Sequence, residues 1–409
     1  MSVTVPIIEW AGLIPVLIIL GAGVLGVLVE AFAPRGGRLQ VQAVLSAVAI
    51  LASGTAFVLR WSQVLPQDAG TGRIRPSGRV LAAGISEDPF GVAAQGIVLL
   101  IGLLAVLIMA DRTTAGDGAF AAQAADRPGS AEETESLHRG WTATEVFPLM
   151  LFSLAGMMLF PMVNDLIALF VVLELVSLPL YIMAATARHR RLLSQEAALK
   201  YFVLGAFASA FLLLGSAFLY GLSGSVSYTR VADALAVGGA IDVIDMDWLG
   251  LAGVVLVTVG LLFKTAAVPF HAWSPDVYQG APTPVTGFMA AGVKAAAFLA
   301  LVRFYYLVGG AFGWDMAPFL WTVAILTMVV GTVVGVVQSD IKRMLAYSAI
   351  AHAGYMLMGI IALNGTGISA LLLYALAYGV ATVGAFGIVA LVRTGHGGAA
   401  GAEATDLGS

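Results

Sequence analysis

The lysines of this chain lie where a lysine is costly and chemically active. The sequence holds only four of them, and Lys200, Lys264 and Lys294 lie within apolar stretches or at their entry. A buried lysine shifts its pKa readily, whereas arginine stays charged in proteins. These three residues are therefore candidates for groups that gain and lose a proton in an apolar environment.

A carboxylate and two histidines occupy comparable positions. Glu174 lies in FVVLELVSLPLYIM, His352 lies in AYSAIAHAGYMLMG, and His271 follows a proline at the end of another apolar run. An ionisable group at the centre of a membrane span costs at least about 2.5–3.5 kcal/mol, so its default interpretation is functional. Together with the three lysines, these residues form the set of candidate functional groups that could gain and lose a proton within the membrane.

Each of these residues also has a structural explanation. Lys200 is near a helix end, where a long basic side chain can snorkel to the interface. Glu174 could form a structural ion pair with a lysine, and a purely structural role is less favoured for Lys264 and Lys294. The two histidines could cap backbone groups or pack as neutral rings.

The stretch LLFKTAAVPFHAWSPDVYQGAPTPV, residues 261–285, combines a lysine with a helix breaker. Pro269 has no N–H to donate, and its ring clashes with the carbonyl four residues back, that of Thr265 beside Lys264. Broken helices at membrane depth persist only where protein or water covers them, and they mark ion pathways in transporters. The sequence thus predicts a discontinuous helix near Pro269 and a proton-handling site beside it.

Composition predicts what holds these residues in place. The chain is 60% hydrophobic and 11% charged, whereas soluble domains carry about 25% charged residues. A helix needs about 20 apolar residues to cross a bilayer, and only helices or closed barrels satisfy their backbone there. We predict an all-α, polytopic transmembrane helix bundle. Its eleven spans are 11–32, 39–61, 89–110, 145–162, 165–187, 195–221, 248–268, 284–308, 317–338, 343–363 and 367–393.

Several kinds of chemistry are not expected on this chain. It contains no cysteine, so it can hold no thiolate-bound iron–sulfur cluster, zinc finger or disulfide. It has no glycine-rich nucleotide loop in a strand–helix context. A net charge of −4 does not argue for nucleic acid, and the first apolar segment reads as a retained helix rather than a signal peptide.

Short basic loops predict the orientation. Residues 34–38, 188–191 and 340–343 fall on one side of the membrane if the spans are counted correctly. By the positive-inside rule that side is cytoplasmic and the N-terminus is outside. One loop, residues 62–88, disagrees because it carries three arginines on the outer side.

Four segments resemble a known family. LELVSLPLYIMAA, EAALKYFVLGAFASAFLLLGSAFLYGLSGS, FKTAAVPFHAWSPDVYQGAPTPV and SDIKRMLAYSAIAHAGYMLMG closely resemble subunit N of the bacterial NADH–quinone oxidoreductase, respiratory complex I. That subunit is one of three antiporter-like subunits of the membrane arm. Its relatives, subunits L and M and the Mrp-type antiporter subunits, differ at the loop VYQGAPTPVTG and tend to carry histidine where this chain has Lys294.

The resemblance implies a role for individual residues. Glu174 is similar to a fifth-span glutamate that pairs with a lysine, and Lys264 to the broken-helix lysine of a proton half-channel. Lys294 is similar to a lysine that passes protons along a central polar axis, and His352 to a tenth-span histidine on that axis. The family fold contains inverted five-helix repeats, in which Glu174 and His352 occupy equivalent spans.

Resemblance and composition together divide the chain into five parts. The segment 111–143 is polar and acidic, which is typical of a flexible insert, and the Gly/Ala-rich tail also reads as flexible. Family members have about fourteen spans, so we expect this sequence to be a fragment of a longer subunit. The predicted parts are three N-terminal helices (1–110), the insert (111–143), a first antiporter-like repeat (144–308), a partial second repeat (309–393) and the tail (394–409).

The function implied by the resemblance is proton conduction in a translocase. NADH, quinone, FMN and iron–sulfur clusters would bind to partner subunits, and this chain would bind no cofactor or metal itself. Its implied partners are the other membrane-arm subunits, including neighbouring antiporter-like ones, in the bilayer of the bacterial plasma membrane. The alternatives are a subunit of a stand-alone Mrp-type cation/proton antiporter and a non-transporting scaffold.

Overall fold

The computed structural model describes residues 8–68, 79–82, 84–112, 118–123, 126–127, 130–139, 141–236, 247–396, 399–403 and 405–406. These residues form a helix bundle with two small antiparallel hairpins. The helices are α1 (Trp10–Phe32), α2 (Arg38–Asp68), α3 (Pro89–Met109), α4 (Ala131–His138), α5 (Val146–Leu159), α6 (Leu166–Ala184), α7 (Arg191–Ser223), α8 (Tyr228–Ala236), α9 (Asp247–Thr265), α10 (Trp273–Gly280), α11 (Thr283–Phe288), α12 (Lys294–Leu307), α13 (Gly313–Val336), α14 (Ile341–Ile361) and α15 (Gly365–Leu391). The strands are β1 (Arg79–Ala82), β2 (Ile85–Glu87), β3 (Arg393–His396) and β4 (Ala399–Glu403).

The predicted spans agree with the observed helices. Ten helical segments among the described residues are long and apolar enough to cross a membrane, and Val146–Met162 forms a shorter apolar helix. Each corresponds to one of the eleven predicted spans. The prediction of an all-α membrane bundle is therefore confirmed.

Side-chain caps determine where several helices begin. Asp88 precedes α3 and accepts a hydrogen bond from Gly91 N at 2.7 Å. Asp165 and Asp340 each accept from two backbone N–H groups in the first turns of α6 and α14. Such caps satisfy N–H groups that have no partner within the helix, which is a strong requirement in an apolar surrounding.

One helix lies at the centre of the bundle. Thr283–Leu307, which joins α11 and α12 through a π-helical turn at Met289–Val293, is buried along its whole spanning length. It packs against α3, α5, α9, α14 and α15. Any polar group on this helix is therefore surrounded by protein.

The helices α7 and α9 approach each other closely. A Cβ added to Gly215 on α7 would lie 2.7 Å from the carbonyl oxygen of Gly253 on α9. Small residues permit this backbone approach between membrane helices. The tight contact holds the first half of the broken helix against α7.

The basic loops lie at one end of the bundle. Arg190 and Asp340, from two of these loops, are 3.9 Å apart. Arg191 and Glu133 form an ion pair at 3.0 Å, and Arg35 stacks on Trp141. The structure thus gathers the three predicted basic loops on one side, which we call the basic end.

Part of the polar segment 111–143 is packed against the bundle, whereas composition led us to expect a flexible insert. It contains α4, and Phe120 is 3% exposed. Backbone hydrogen bonds join Ala121 N to Thr186 O at 2.8 Å and Arg188 N to Ala119 O at 2.9 Å. These bonds, together with the Arg191–Glu133 pair, offset the low hydrophobicity of the segment.

The tail, which we also expected to be flexible, contains the β3–β4 hairpin. Ile341 N donates to Thr405 O at 2.8 Å, so the tail contacts the start of α14. The limits of the two antiporter-like repeats stay a prediction.

Candidate proton-transfer site

The predicted helix break is present. The helix α9 ends at Thr265, and α10 begins at Trp273. Ala266 adopts a left-handed backbone with φ of 57°, and its N–H bonds to Phe263 O at 3.0 Å. Regular hydrogen bonding thus stops after Thr265, the residue that follows Lys264, as Pro269 predicted.

Two side chains satisfy backbone groups that the break releases. The Val268 N–H donates to Thr327 Oγ1 of α13 at 2.9 Å. The Trp273 indole Nε1 donates to Phe263 O at 2.9 Å. The break is therefore stabilised by contacts with α10 and α13. The contribution of Thr327 was not apparent from the sequence.

The ammonium of Lys264 is enclosed beside this break. The residue is 2% exposed, and its Nζ donates to the Tyr181 hydroxyl at 3.2 Å. Nζ also lies 5.3 Å and 5.4 Å from the ring centroids of Tyr181 and Tyr201, within cation–π range. A phenol oxygen and two aromatic faces thus replace water around this cation.

Glu174 is close to this cluster without touching the lysine. It interacts electrostatically with Lys264, but its carboxylate accepts a hydrogen bond from Ser209 Oγ at 2.5 Å. Tyr181 lies seven residues further along α6, which is two turns on the same face. The implied direct pairing of Glu174 with a lysine is absent among the described residues, and Lys264 donates to the Tyr181 hydroxyl instead.

A glycine provides the space for the Tyr181 hydroxyl. A Cβ built on Gly205 of α7 would lie 2.1 Å from the Tyr181 oxygen. The position of the acceptor for Lys264 therefore depends on the absence of a side chain at Gly205.

Lys294 lies at the centre of the bundle, directly after the π-helical turn. It is 1% exposed, and its Nζ donates to Ala349 O on α14. Nζ is 5.9 Å from the Tyr378 ring centroid on α15. Single π-helical turns often occur at functional sites, and here the turn precedes a cation held by a backbone carbonyl.

His352 adjoins Lys294. Its Nδ1 lies 2.5 Å from the Tyr374 hydroxyl, and its ring is 5.1 Å from the Tyr378 ring. These residues line a cavity of about 420 Å³ between α14 and α15. A half-buried imidazole and two phenols therefore border a space with room for water near Lys294.

A row of aromatic rings leads from Lys264 toward Lys294. Tyr201 lies at 4.6 Å from Tyr181 and stacks on Trp273 at 4.8 Å. Trp273 contacts Tyr278 at 6.1 Å, and Tyr278 interacts electrostatically with Tyr378. The buried hydroxyl of Tyr201 has no hydrogen-bond partner among the described residues, and ordered water commonly serves such groups.

Lys200 does not join this line. It is 42% exposed and forms ion pairs with Glu196 at 2.7 Å and Asp276 at 2.8 Å. Arg343 also contacts Asp276, at 2.6 Å. Burial favours the neutral form of Asp276, but hydrogen bonds from Lys200 and Arg343 outweigh it and lower the pKa of its carboxyl. The Lys200 side chain thus links α7 to α10. Its partial exposure is close to the interfacial placement that we considered from the sequence.

His271 lies in the break, half-buried, and its carbonyl accepts from Ser274 N at 2.9 Å. Its Nδ1 has no hydrogen-bond partner in the part of the chain that the structure describes. The buried Ser274 Oγ likewise has no hydrogen-bond partner among the described residues. His271 is therefore near the predicted site, and among the described residues the Lys264 ammonium bonds to Tyr181 and not to this histidine.

Sequence reasoning missed two sets of charges. Lys342, which we placed in a loop, lies in the first turn of α14, is 3% exposed and donates to Ala281 O at 2.6 Å. Arg303 and Asp88 form a completely buried ion pair at 2.7 Å at the end opposite the basic loops. The sequence feature that could have indicated the Arg303–Asp88 pair is the arginine inside the apolar run 284–308.

Capping supports the predicted inverted relation between α6 and α14. Both follow an N-cap aspartate, Asp165 or Asp340, at opposite ends of the bundle. Glu174 lies nine residues after its cap, and the corresponding position on α14 is Ala349, whose carbonyl receives Lys294. His352 lies one turn further along.

Comparison with known proteins places the chain in two steps. Residues 163–400 match the model of a transmembrane family described as NADH:quinone oxidoreductase/Mrp antiporter. NADH-quinone oxidoreductase subunit N of Beutenbergia cavernae is 52% identical over 398 residues, which is 96% of this chain and 73% of that protein. The same subunit of Acidothermus cellulolyticus is 48% identical over 396 residues, 97% of this chain and 73% of that protein.

Solved structures agree with this placement. A chain of respiratory complex I from Thermus thermophilus has a TM-score of 0.68 and 31% identity, and the match covers 92% of this chain and 70% of that one. A chain of the Mrp complex from Dietzia sp. has a TM-score of 0.71 at 20% identity, covering 91% and 63%, which shows a shared fold alone. The chain is a member of the antiporter-like membrane subunits. Within that class it belongs to the family of NADH-quinone oxidoreductase subunit N.

Proposed function

We propose that this chain is a membrane-arm subunit of a bacterial NADH–quinone oxidoreductase and conducts protons across the membrane. Quinone reduction elsewhere in the complex drives the conduction, so this chain serves a translocase without performing redox chemistry itself. NADH, FMN, iron–sulfur clusters and quinone bind to partner subunits. Other membrane-arm subunits, including antiporter-like ones, are its neighbours.

One observation carries the proposal: a lysine enclosed at a helix break, with its ammonium on a tyrosine hydroxyl. Lys264 has no water-facing surface to stabilise its charge, so its proton affinity depends on Tyr181 and on the charge of Glu174. A movement of Glu174 toward or away from the lysine changes that affinity, because a nearby carboxylate favours the charged form and burial opposes it. The position of Glu174 relative to Lys264 is therefore the feature that a distant redox step can change.

The second half of the path is Lys294 with His352. In the proposed path the aromatic rings from Tyr181 to Tyr278 lead from Lys264 toward Lys294, and the cavity beside His352 offers an exit toward neighbouring helices. Protons pass along water and hydroxyl groups between these points. Lys200 and His271 lie closer to the basic end, where they bring protons toward Lys264.

The proposed location is the bacterial plasma membrane, with the basic end in the cytoplasm and the N-terminus outside. The positive-inside rule supports this orientation, because the loops that hold Arg35, Arg190 and Arg343 lie together. Attachment of a cysteine label at residue 8 or at residue 190 in intact cells tests it. Labelling of the second position by a membrane-impermeant reagent contradicts the orientation.

The test of function is proton pumping in vesicles that carry the assembled complex, followed with a pH-sensitive dye. Glu174→Gln and Lys264→Ala should each impair pumping while the complex remains present. Lys264→Arg should impair it as well, because arginine keeps the charge but cannot release the proton. The matched control is Glu132→Gln, which alters an exposed carboxylate on α4 that is outside the proposed path.

Near-normal pumping in both Glu174→Gln and Lys264→Ala contradicts the pathway and favours the scaffold alternative. If Lys264→Arg pumps normally while Lys264→Ala does not, the lysine contributes a fixed positive charge and does not release a proton. The stand-alone antiporter alternative rests on the Mrp-like fold and predicts sodium-dependent transport without a co-purifying quinone reductase. Co-purification of the other complex I subunits excludes it.

A further inference from the structure

A cavity of about 360 Å³ opens at the basic end of the bundle, away from the lysines. The turn between α1 and α2, the end of α3 and the residues before α5 surround it. Its size is within the roughly 300–1,000 Å³ usual for small-molecule sites. Four arginines and one tryptophan line it, and we call it the arginine pocket: Arg35, Arg38, Arg112, Arg139 and Trp141.

The indole of Trp141 holds two of these arginines in place. The guanidinium carbons of Arg35 and Arg139 lie 4.1 Å and 5.1 Å from its ring centroid. Stacking on an aromatic face leaves the N–H edges of a guanidinium free to bind an anion. The tryptophan therefore arranges two donors toward one space.

Positive charge exceeds negative charge in this pocket, because two carboxylates, Glu30 and Glu145, line it together with the four arginines. Arg38 reaches Glu30 at 3.4 Å, and Arg139 pairs with Glu135. In contrast, no carboxylate pairs with Arg35 or Arg112 among the described residues. Burial, and to a smaller extent the neighbouring Arg188, lower the pKa of the Arg112 guanidinium.

The opposite end of the bundle is arranged differently. There Arg60 pairs with Glu87, and Arg303 pairs with Asp88. Each of these arginines is neutralised by a neighbour within the chain. Arg60 and Arg303 thus differ from Arg35 and Arg112, for which no carboxylate partner is present among the described residues.

Apolar surface adjoins the pocket on its membrane side. The last residue of α1, Phe32, is 84% exposed, and Leu28 one turn earlier is also exposed. Val41 and Val44 on α2 are exposed next to them. Basic pockets between membrane helices on the cytoplasmic side bind anionic lipid head groups, and tryptophan favours the level of the head groups.

We propose that the arginine pocket binds the phosphate diester of an anionic phospholipid, with its acyl chains along the exposed faces of α1 and α2. Arg35 and Arg112 bind the phosphate, because a guanidinium fork matches two phosphate oxygens. Trp141 positions Arg35 and packs against the glycerol. A free phosphate anion shares this chemistry, but only a lipid also covers the apolar faces.

The test uses the intact complex, purified in detergent and exposed to a photoactivatable phosphatidylglycerol. Cross-links are mapped by mass spectrometry to the peptides that contain residues 30–39 and 118–145. Parallel samples receive photoactivatable phosphatidylcholine, or phosphatidylglycerol with millimolar inorganic phosphate as competitor. The variants are Arg35→Gln alone and Arg35→Gln with Arg112→Gln, and the control is Arg230→Gln, an exposed arginine on α8.

Phosphatidylglycerol should label these peptides, and phosphatidylcholine and inorganic phosphate should have little effect. At sub-saturating lipid the labelling should fall roughly tenfold for each arginine removed, since a charge-assisted hydrogen bond is worth about one decade in affinity or more. The control should label like the native protein. If the double variant does not assemble, the single variant at the exposed Arg35 gives the same comparison.

Labelling that survives in the variants overturns the proposal, as does equal labelling by phosphatidylcholine. Complete competition by inorganic phosphate assigns the pocket to a free phosphate anion and rejects the lipid. Pumping by the complex is a separate readout, so failure here leaves the proton path untouched.

Discussion

The ammonium nitrogen of Lys264 lies 3.2 Å from the hydroxyl oxygen of Tyr181, which is on a helix 83 residues earlier in the chain. This contact places a neutral acceptor against a buried cation, on the same face of α6 as Glu174. A phenol is able both to accept from the ammonium and to donate to water. Lys264 therefore has a neutral hydrogen-bond partner in place of a contacting carboxylate.

Tyr181→Phe removes this acceptor and leaves the ring. We expect pumping to fall by roughly tenfold, because the lysine loses a charge-assisted hydrogen bond worth about 1.5–3 kcal/mol. Vesicle pumping rates normalised to the NADH oxidation rate measure the effect. A normal rate in an assembled complex contradicts a role for the hydroxyl. Tyr220→Phe, an exposed tyrosine on α7, is the control.

Gly205→Ala should impair pumping through Tyr181. The new methyl group would lie 2.1 Å from the tyrosine oxygen, so the hydroxyl must move away from Lys264. Gly221→Ala is the matched control, because nothing lies within 4 Å of a Cβ there and both glycines are on α7. Equal pumping by the two variants would show that the hydroxyl tolerates displacement.

Thr327→Val tests how the helix break is held. Valine has nearly the same shape but cannot accept the Val268 N–H, and an unsatisfied buried donor costs about 1–3 kcal/mol. We expect faster hydrogen exchange at residues 266–272 and a lower thermal unfolding temperature of the subunit. Thr322→Val on the exposed side of α13 should change neither. Unaltered exchange in Thr327→Val would mean that the hydroxyl does not hold the break.

The buried pair Asp88–Arg303 should contribute to stability rather than to pumping. Arg303→Met or Asp88→Asn alone leaves a buried charge without its partner, which costs about 3–5 kcal/mol. The double variant should recover much of this loss, since no unpaired charge remains. The subunit level in membranes and its thermal unfolding temperature measure both effects. Additive losses in the double variant would contradict the coupling.

The sequence determined the spans, the helix break and the family. Length and apolarity define a membrane span locally, and the proline at 269 disrupts a helix whatever its neighbours are. Each of the four family motifs is one continuous stretch of sequence, so the motifs are readable without the fold. The charged residues inside spans, Glu174, Lys264, Lys294 and His352, were apparent for the same reason.

Tertiary structure decided which groups these residues touch. Tyr181, Thr327 and the carbonyl of Ala349 carry no sign in the sequence that they bind near a lysine or a break. Lys200 looked equivalent to the interior lysines, yet it forms ion pairs at the basic end. The partner of a side chain depends on the rotation and axial shift of helices that are far apart in sequence, and these follow from packing of the whole bundle. A periodic apolar helix does not encode its own rotation when all its faces are apolar, so only the assembled fold assigned these contacts.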